Sequence, residues 1–205
     1  MNIIKLNHDN FVSTIEQSAE IIQRGGLVIA PFDTIYGIIA SPFDDKVLEK
    51  IFIIKQRPPE KTIGIAVDSL SSAMNFAQVS ESQKQFINDR IPGRFTFILK
   101  TNPNTLSEYC LRDNTVGVRI PDSDLILSIA RSSGGIIAQT SINRSGQPNC
   151  YSIDDIISQF SAEELSHIDL IIDGGELDRE GSPSALWDLS KDSPREIKRE
   201  IPKKD

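Results

Sequence analysis

The sequence has little of what most often supplies protein-borne chemistry. Histidine occurs only twice in 205 residues, at His8 and His167, and neither stands beside a polar motif. Catalysis by a histidine base is therefore not expected. The two cysteines, Cys110 and Cys150, form no CxxC pair, which argues against both a zinc site and a disulfide framework and suits a reducing, cytoplasmic setting. The N-terminus shows no basic segment followed by an apolar run. No apolar stretch approaches the roughly 20 residues that cross a bilayer, so no membrane partner is expected. Cations are outnumbered, 22 Lys and Arg against 29 Asp and Glu, for a formal net charge of -7. That balance argues against a general electrostatic grip on nucleic acid, although a local patch can still hold phosphates. A Walker loop, a GxGxxG fingerprint and a GxSxG elbow are all missing.

What remains is the composition of a globular domain, 39% apolar and 25% charged. Apolar runs of strand length, such as Leu27–Phe32 and Ile136–Thr140, alternate with helical periodicity, as in Phe11, Ile15, Ala19 and Ile22. Further strands are expected over Thr62–Val67, Phe95–Leu99, Thr115–Ile120, Ile168–Ile172, Ala185–Leu189 and Glu196–Ile201. Helices are expected after Asp9 and Asp44, and over Ser69–Ala77, Glu81–Asp89, Asp122–Ser132 and Asp154–Phe160. This interleaving predicts one α/β domain over residues 1–205, with a twisted mixed sheet and flanking helices. The Gly-rich segment Asp173–Pro183 reads as a loop over a site.

Four polar segments exceed what a packed core requires. Asp33-Thr34-Ile35-Tyr36-Gly37 leaves a buried strand and offers two hydroxyls to a small ligand. Lys55-Gln56-Arg57-Pro58-Pro59-Glu60-Lys61 puts three cations within seven residues. Its two prolines stiffen the connector, and an extended path lets Lys55 and Arg57 converge on one anion. In Thr115-Val116-Gly117-Val118-Arg119 the odd residues share a face, and an arginine there calls for a carboxylate from protein or ligand. Thr140 to Asn149 brings hydroxyls and amides directly after a strand, the donors of a phosphate or ribose cradle.

Together, Pro31-x-Asp33-Thr34-x-Tyr36-Gly37, Lys55-x-Arg57-Pro58, Pro92-Gly93-x-x-Thr96, Val118-Arg119-x-Pro121 and Ser141-x-Asn143-x-Ser145-Gly146 resemble, in order and approximate spacing, the YrdC-like threonylcarbamoyl-AMP synthases. The resemblance spans about Gly25 to Arg199. It implies a single α/β domain whose sheet surrounds a large concave cleft. It also implies condensation of L-threonine, bicarbonate and ATP into threonylcarbamoyl-adenylate and pyrophosphate, with Mg²⁺, for proteins that make the t6A modification of tRNA. By position, Lys55 and Arg57 match the Lys-x-Arg pair and are the expected catalytic residues. Arg57, Lys61, Thr115, Ser141, Asn143, Asn149 and Arg199 fall where the family binds ATP, and Thr34, Arg119 and Ser184 where it binds threonine. No resident metal ligand is implied. Phe32 stands where Thr is usual, Ala66 where some members are polar, Ala185 where Thr is common, and Ile201 where Gly is expected. Phe95–Lys100 and Asp169–Gly175 resemble the YciO-like branch, whose implied alternative is an RNA- or nucleotide-binding protein, in contact with tRNA or double-stranded RNA and without synthase activity.

Overall fold

The structure, a computed structural model, describes residues 2–180, 184–191 and 193–198. Among these, the strands are β1 (Ile3–Lys5), β2 (Val28–Pro31), β3 (Tyr36–Ala40), β4 (Gly64–Val67), β5 (Phe95–Lys100), β6 (Thr115–Arg119), β7 (Ile136–Ser141), β8 (Leu170–Asp173), β9 (Ala185–Asp188) and β10 (Arg195–Ile197). They form one open sheet in the order β1-β8-β2-β3-β7-β4-β6-β5-β9-β10. The pairs β1-β8, β8-β2, β4-β6 and β5-β9 are parallel and the others antiparallel, so the expected mixed α/β sheet is present. The helices are α1 (Phe11–Gln23), α2 (Asp45–Lys55), α3 (Leu70–Met74), α4 (Glu81–Asn88), α5 (Asp124–Ser132), α6 (Ile153–Gln159) and α7 (Ala162–Leu165). None of the helices is long and apolar enough to cross a membrane, among the described residues.

Local chemistry accounts for the elements that matter to the site. The Asp44 carboxylate accepts from the backbone N–H of Lys46 and Val47 and caps α2. Val47, Leu48, Ile51 and Ile54 form that helix's buried stripe. Gln56 ends the helix in the left-handed conformation, at φ 49°. The chain therefore turns at Gln56 instead of running extended, and the expected convergence of Lys55 and Arg57 through alternate positions does not apply. One strand escapes the sequence reading. Phe32 N donates to Ile35 O at 3.1 Å, and Tyr36 already pairs with Pro31. The expected loop is thus a short hairpin turn, and β3 begins at Tyr36. The N-cap of α1 is Asn10 rather than Asp9.

Alternation along the strands sends side chains to two separate cores. One face carries Ile29, Ile38, Ile65, Val118 and Ile136 against α2, α4 and α6. The other carries Val28, Ala30, Ile39, Ala66 and Ile137 against α1 and α5. The helices α1 and α5 cover only part of this second face, and the remainder is the site.

Candidate active site

Gly37 of β3, Ser141 and Gln139 of β7, Gly64 of β4, and Thr115, Gly117 and Arg119 of β6 share the parity of Ile39 and Ile137, and so point to the α1/α5 face. Beyond those helices they line a cavity of about 670 Å³, joined by Thr96 and Ile98 of β5 and Leu186 of β9. The turn before β3 adds Phe32, Thr34 and Ile35. The connector after α2 adds Arg57, Glu60, Lys61 and Thr62. Glycine at three strand positions makes the floor hollow. A Cβ on Gly37 meets the Phe32 ring at 2.8 Å and one on Gly64 meets the Gln139 amide at 3.1 Å. One on Gly117 has only Thr96 Cγ2 nearby, at 3.5 Å.

Cations and hydroxyls gather at one end. The Arg57 guanidinium donates through Nη2 to Thr62 O and keeps a buried Nε–H without a partner among the described residues. Burial pulls its pKa below the usual arginine value. Lys61 Nζ reaches Ser145 Oγ at 3.5 Å, and Asn149, Thr115 and Ser141 complete this wall. Lys55 lies elsewhere. Its side chain is 1% exposed, behind the lining. Its ammonium donates to Ser141 O and, at 2.6 Å, to Asn143 O. Burial, with the nearby Arg57 and Lys61, lowers its pKa from 10.5 to about 7. Asn143 is likewise turned inward: Oδ1 accepts from the Ser141 hydroxyl, and Nδ2 donates to Gln147 O at 2.7 Å. Lys55 and Asn143 therefore shape the Ser141–Asn149 loop from beneath rather than facing the cavity. Arg144 fastens the same loop from outside, its Nη2 donating to both oxygens of the Glu164 carboxylate at 2.6 and 2.7 Å.

At the other end Arg119 has the carboxylate partner it calls for, supplied by the protein. Its guanidinium donates to Asp33 through Nη2 and to Thr34 Oγ1 through Nη1, at 3.2 Å for the latter. Burial lowers its pKa and Asp33 opposes the shift. Its Nε–H lacks a partner among the described residues, so donor capacity remains. The Ser184 and Thr96 hydroxyls lie 3.1 Å apart on the adjoining wall. Tyr36 is not available to a ligand. Its phenol is fully buried, donates to Gly175 O at 2.7 Å and accepts from Gly174 N at 2.9 Å. Burial raises its pKa to about 12. It pins the Gly-rich loop after β8, which also binds Tyr151 O through Leu177 N at 2.8 Å, and Tyr151 lines the cavity.

Thus Thr34, Arg57, Lys61, Thr115, Arg119, Ser141, Asn149 and Ser184 meet at one cavity. Lys55 and Asn143 stand behind it, and Arg199 lies outside the described residues. Sequence reading missed the role of Asp33, although an arginine on a buried strand and an aspartate in a polar turn were both in view. It also gave no role to Glu60, which lies within the Lys55–Lys61 segment, or to Arg112 and Gln139, which no motif marks.

The Sua5/YciO/YrdC family model, described as "Telomere recombination", matches residues 20–200. The chain belongs to that family. A Mus musculus protein named threonylcarbamoyl-AMP synthase is 27% identical over 174 residues, 82% of this chain and 60% of the relative. The crystal structure of P. abyssi Sua5 complexed with L-threonine superposes with a TM-score of 0.82 at 28% identity, over 94% of this chain and 55% of that one. The chain thus spans little more than half of the Sua5 structure it matches. E. coli YciO, at 23% identity and TM-score 0.80, covers 98% of this chain and 95% of its own and shares the fold. The Sua5/YciO/YrdC architecture therefore extends across nearly all of the sequence.

Proposed function

We propose that this protein is an L-threonylcarbamoyladenylate synthase, a nucleotidyltransferase that joins L-threonine, bicarbonate and ATP. The observation that carries the reading is the meeting of Arg57, Lys61, Ser141 and Asn149 with Thr34, Arg119 and Ser184 on a single cavity. Family membership, a synthase among the relatives and a Sua5 structure complexed with threonine support it.

The chemistry needs gathering and charge stabilisation and no protein nucleophile. The threonine amine adds to bicarbonate with loss of water and gives a carbamate. A carbamate oxygen bonds the α-phosphorus of ATP, the bond to the bridging oxygen breaks, and pyrophosphate leaves with that electron pair. In this reading Arg57 and Lys61 take the phosphate charge, Thr115, Ser141 and Asn149 hold the nucleotide, and the spare Arg119 donors with Thr34 and Ser184 take the amino acid. Lys55 and Asn143 act through the loop they shape. Arg199 lies outside the described residues and stays an ATP-binding position only by the family resemblance. Among the described residues no group of three or more His, Cys, Asp or Glu could hold a metal ion. Magnesium fits as a companion of the triphosphate, since it keeps most of its ligands as water and phosphate oxygen. Glu60 is the carboxylate that lines the cavity for it, and bound there it would neutralise developing phosphate charge. The adenylate would pass to tRNA-modifying proteins in the cytoplasm.

Pyrophosphate release tests the reading. Release is expected only with ATP, threonine and bicarbonate together, and Arg57→Ala is expected to lower turnover about 10²–10³-fold, as loss of one preorganised charge donor does. No release, or undiminished release by Arg57→Ala, contradicts it. Salt-dependent tRNA binding without pyrophosphate would favour the RNA-binding alternative.

A further inference from the structure

Gln139 is a polar residue on the cavity floor that the motifs leave without a task. It stands two residues before Ser141 on β7, so both side chains reach the same face. Across the sheet it pairs with Gly64 of β4, and the next strand places Gly117 opposite Ile98. Its row therefore runs between two others: Gly37 with Ser141, next to Thr115, on the nucleotide side, and Ala66 with Arg119, next to Thr96, on the amino-acid side. The Gln139 amide lies over Gly64, where an added Cβ would stand 3.1 Å from Nε2. Its side chain makes no hydrogen bond among the described residues. An amide has a donor and an acceptor side by side, and a half-buried one left unpaired in a closed complex costs stability. The ligand group that sits there needs the complementary edge.

On the synthase reading, the group that joins the two subsites is the carbamate. It alone among the reacting groups presents an N–H beside a carboxyl oxygen. We propose that Gln139 recognises the carbamate through a paired hydrogen bond, Nε2–H donating to one carbamate oxygen and Oε1 accepting from the carbamate N–H. The pair leaves the other carbamate oxygen free to meet the α-phosphorus. The glycines at positions 64 and 117 give the planar group room to lie against the sheet.

The inference rests on the synthase reading, and binding to a stable mimic separates the two. The cyclic carbamate of L-threonine, 5-methyl-2-oxo-1,3-oxazolidine-4-carboxylate, is locked with its N–H and C=O side by side and so offers the same edge. Calorimetry is expected to show the wild-type protein binding it about tenfold more tightly than L-threonine, the yield of two modest neutral hydrogen bonds. In Gln139→Leu, which removes no internal bond, and in the shorter Gln139→Asn, that preference is expected to vanish. Both variants should keep the wild-type melting temperature and their affinities for ATP and threonine. Turnover should fall roughly tenfold or more, and further in Gln139→Glu, whose carboxylate repels the carbamate. Equal binding of the mimic by wild type and Gln139→Leu overturns the proposal, as does a loss of ATP or threonine affinity that matches the loss of turnover. A wild-type protein that binds the mimic with this preference but releases no pyrophosphate refutes the synthase reading while leaving the recognition by Gln139 standing.

Discussion

Arg119 and Asp33 stand together with side chains each 6% exposed, 86 residues apart in sequence. Removing one partner of such a pair leaves a buried charge uncompensated, so Asp33→Ala is expected to cost about 3–5 kcal/mol in denaturant unfolding. Loss of less than about 1 kcal/mol would show that Arg119 finds other compensation. Lys55 sets a different expectation. Its pKa falls from 10.5 to about 7 through burial, so between those values the unfolded chain binds more protons than the native state. Stability therefore rises with pH across that window. Cys110 and Cys150, raised by burial from 9.0 to about 12, pull the other way above pH 9. Thermal unfolding between pH 7 and 9 should thus show stability rising in the wild type and a flatter profile in Lys55→Met. Parallel profiles would contradict the buried, loop-holding lysine. The ion pair was half legible in the sequence, which marked the arginine's need but not which carboxylate meets it. The inward turn of Lys55 was hidden, because it depends on Gln56 leaving the extended path.

Among the elements, the Ser141–Asn149 loop owes its shape to groups beneath and outside it: Lys55 on two carbonyls, Asn143 across the turn, and Arg144 on Glu164. Arg144→Ala is expected to lower hydrogen-exchange protection over residues 141–149 while α1 and α5 keep theirs. Equal loss across the molecule would mean that Arg144 serves global stability instead. Most elements could be read in advance because their signals are local. Asp44 caps α2, Ser80 and Gln83 form a capping box on α4, and Gly134-Gly135 ends α5 at positive φ. The strand β3 was missed because Tyr36-Gly37 carries a turn-like sequence while pairing with both β2 and β7. Pairing is a non-local fact, and no short window contains it.

For the whole molecule, the decisive feature is incomplete coverage. The helices α1 and α5 bury one part of a sheet face, and the same face continues past them as a glycine-floored hollow. Which residues the motifs bring to one place was legible only through family resemblance. Neither composition nor periodicity gives the register that sets Arg57, Ser141 and Arg119 around a common space. Gly117 allows that space to be filled without disturbing the fold, since a Cβ there meets only Thr96 Cγ2 at 3.5 Å. Gly117→Leu should keep a cooperative unfolding transition near the wild-type temperature while occupying the centre of the floor. Calorimetry of ATP and of L-threonine on the wild type and on Gly117→Leu therefore tests most directly whether one hollow takes both ligands. The account predicts that the wild type binds each and that the folded variant loses both. Undiminished binding of either ligand by the folded variant would place that ligand elsewhere and contradict it.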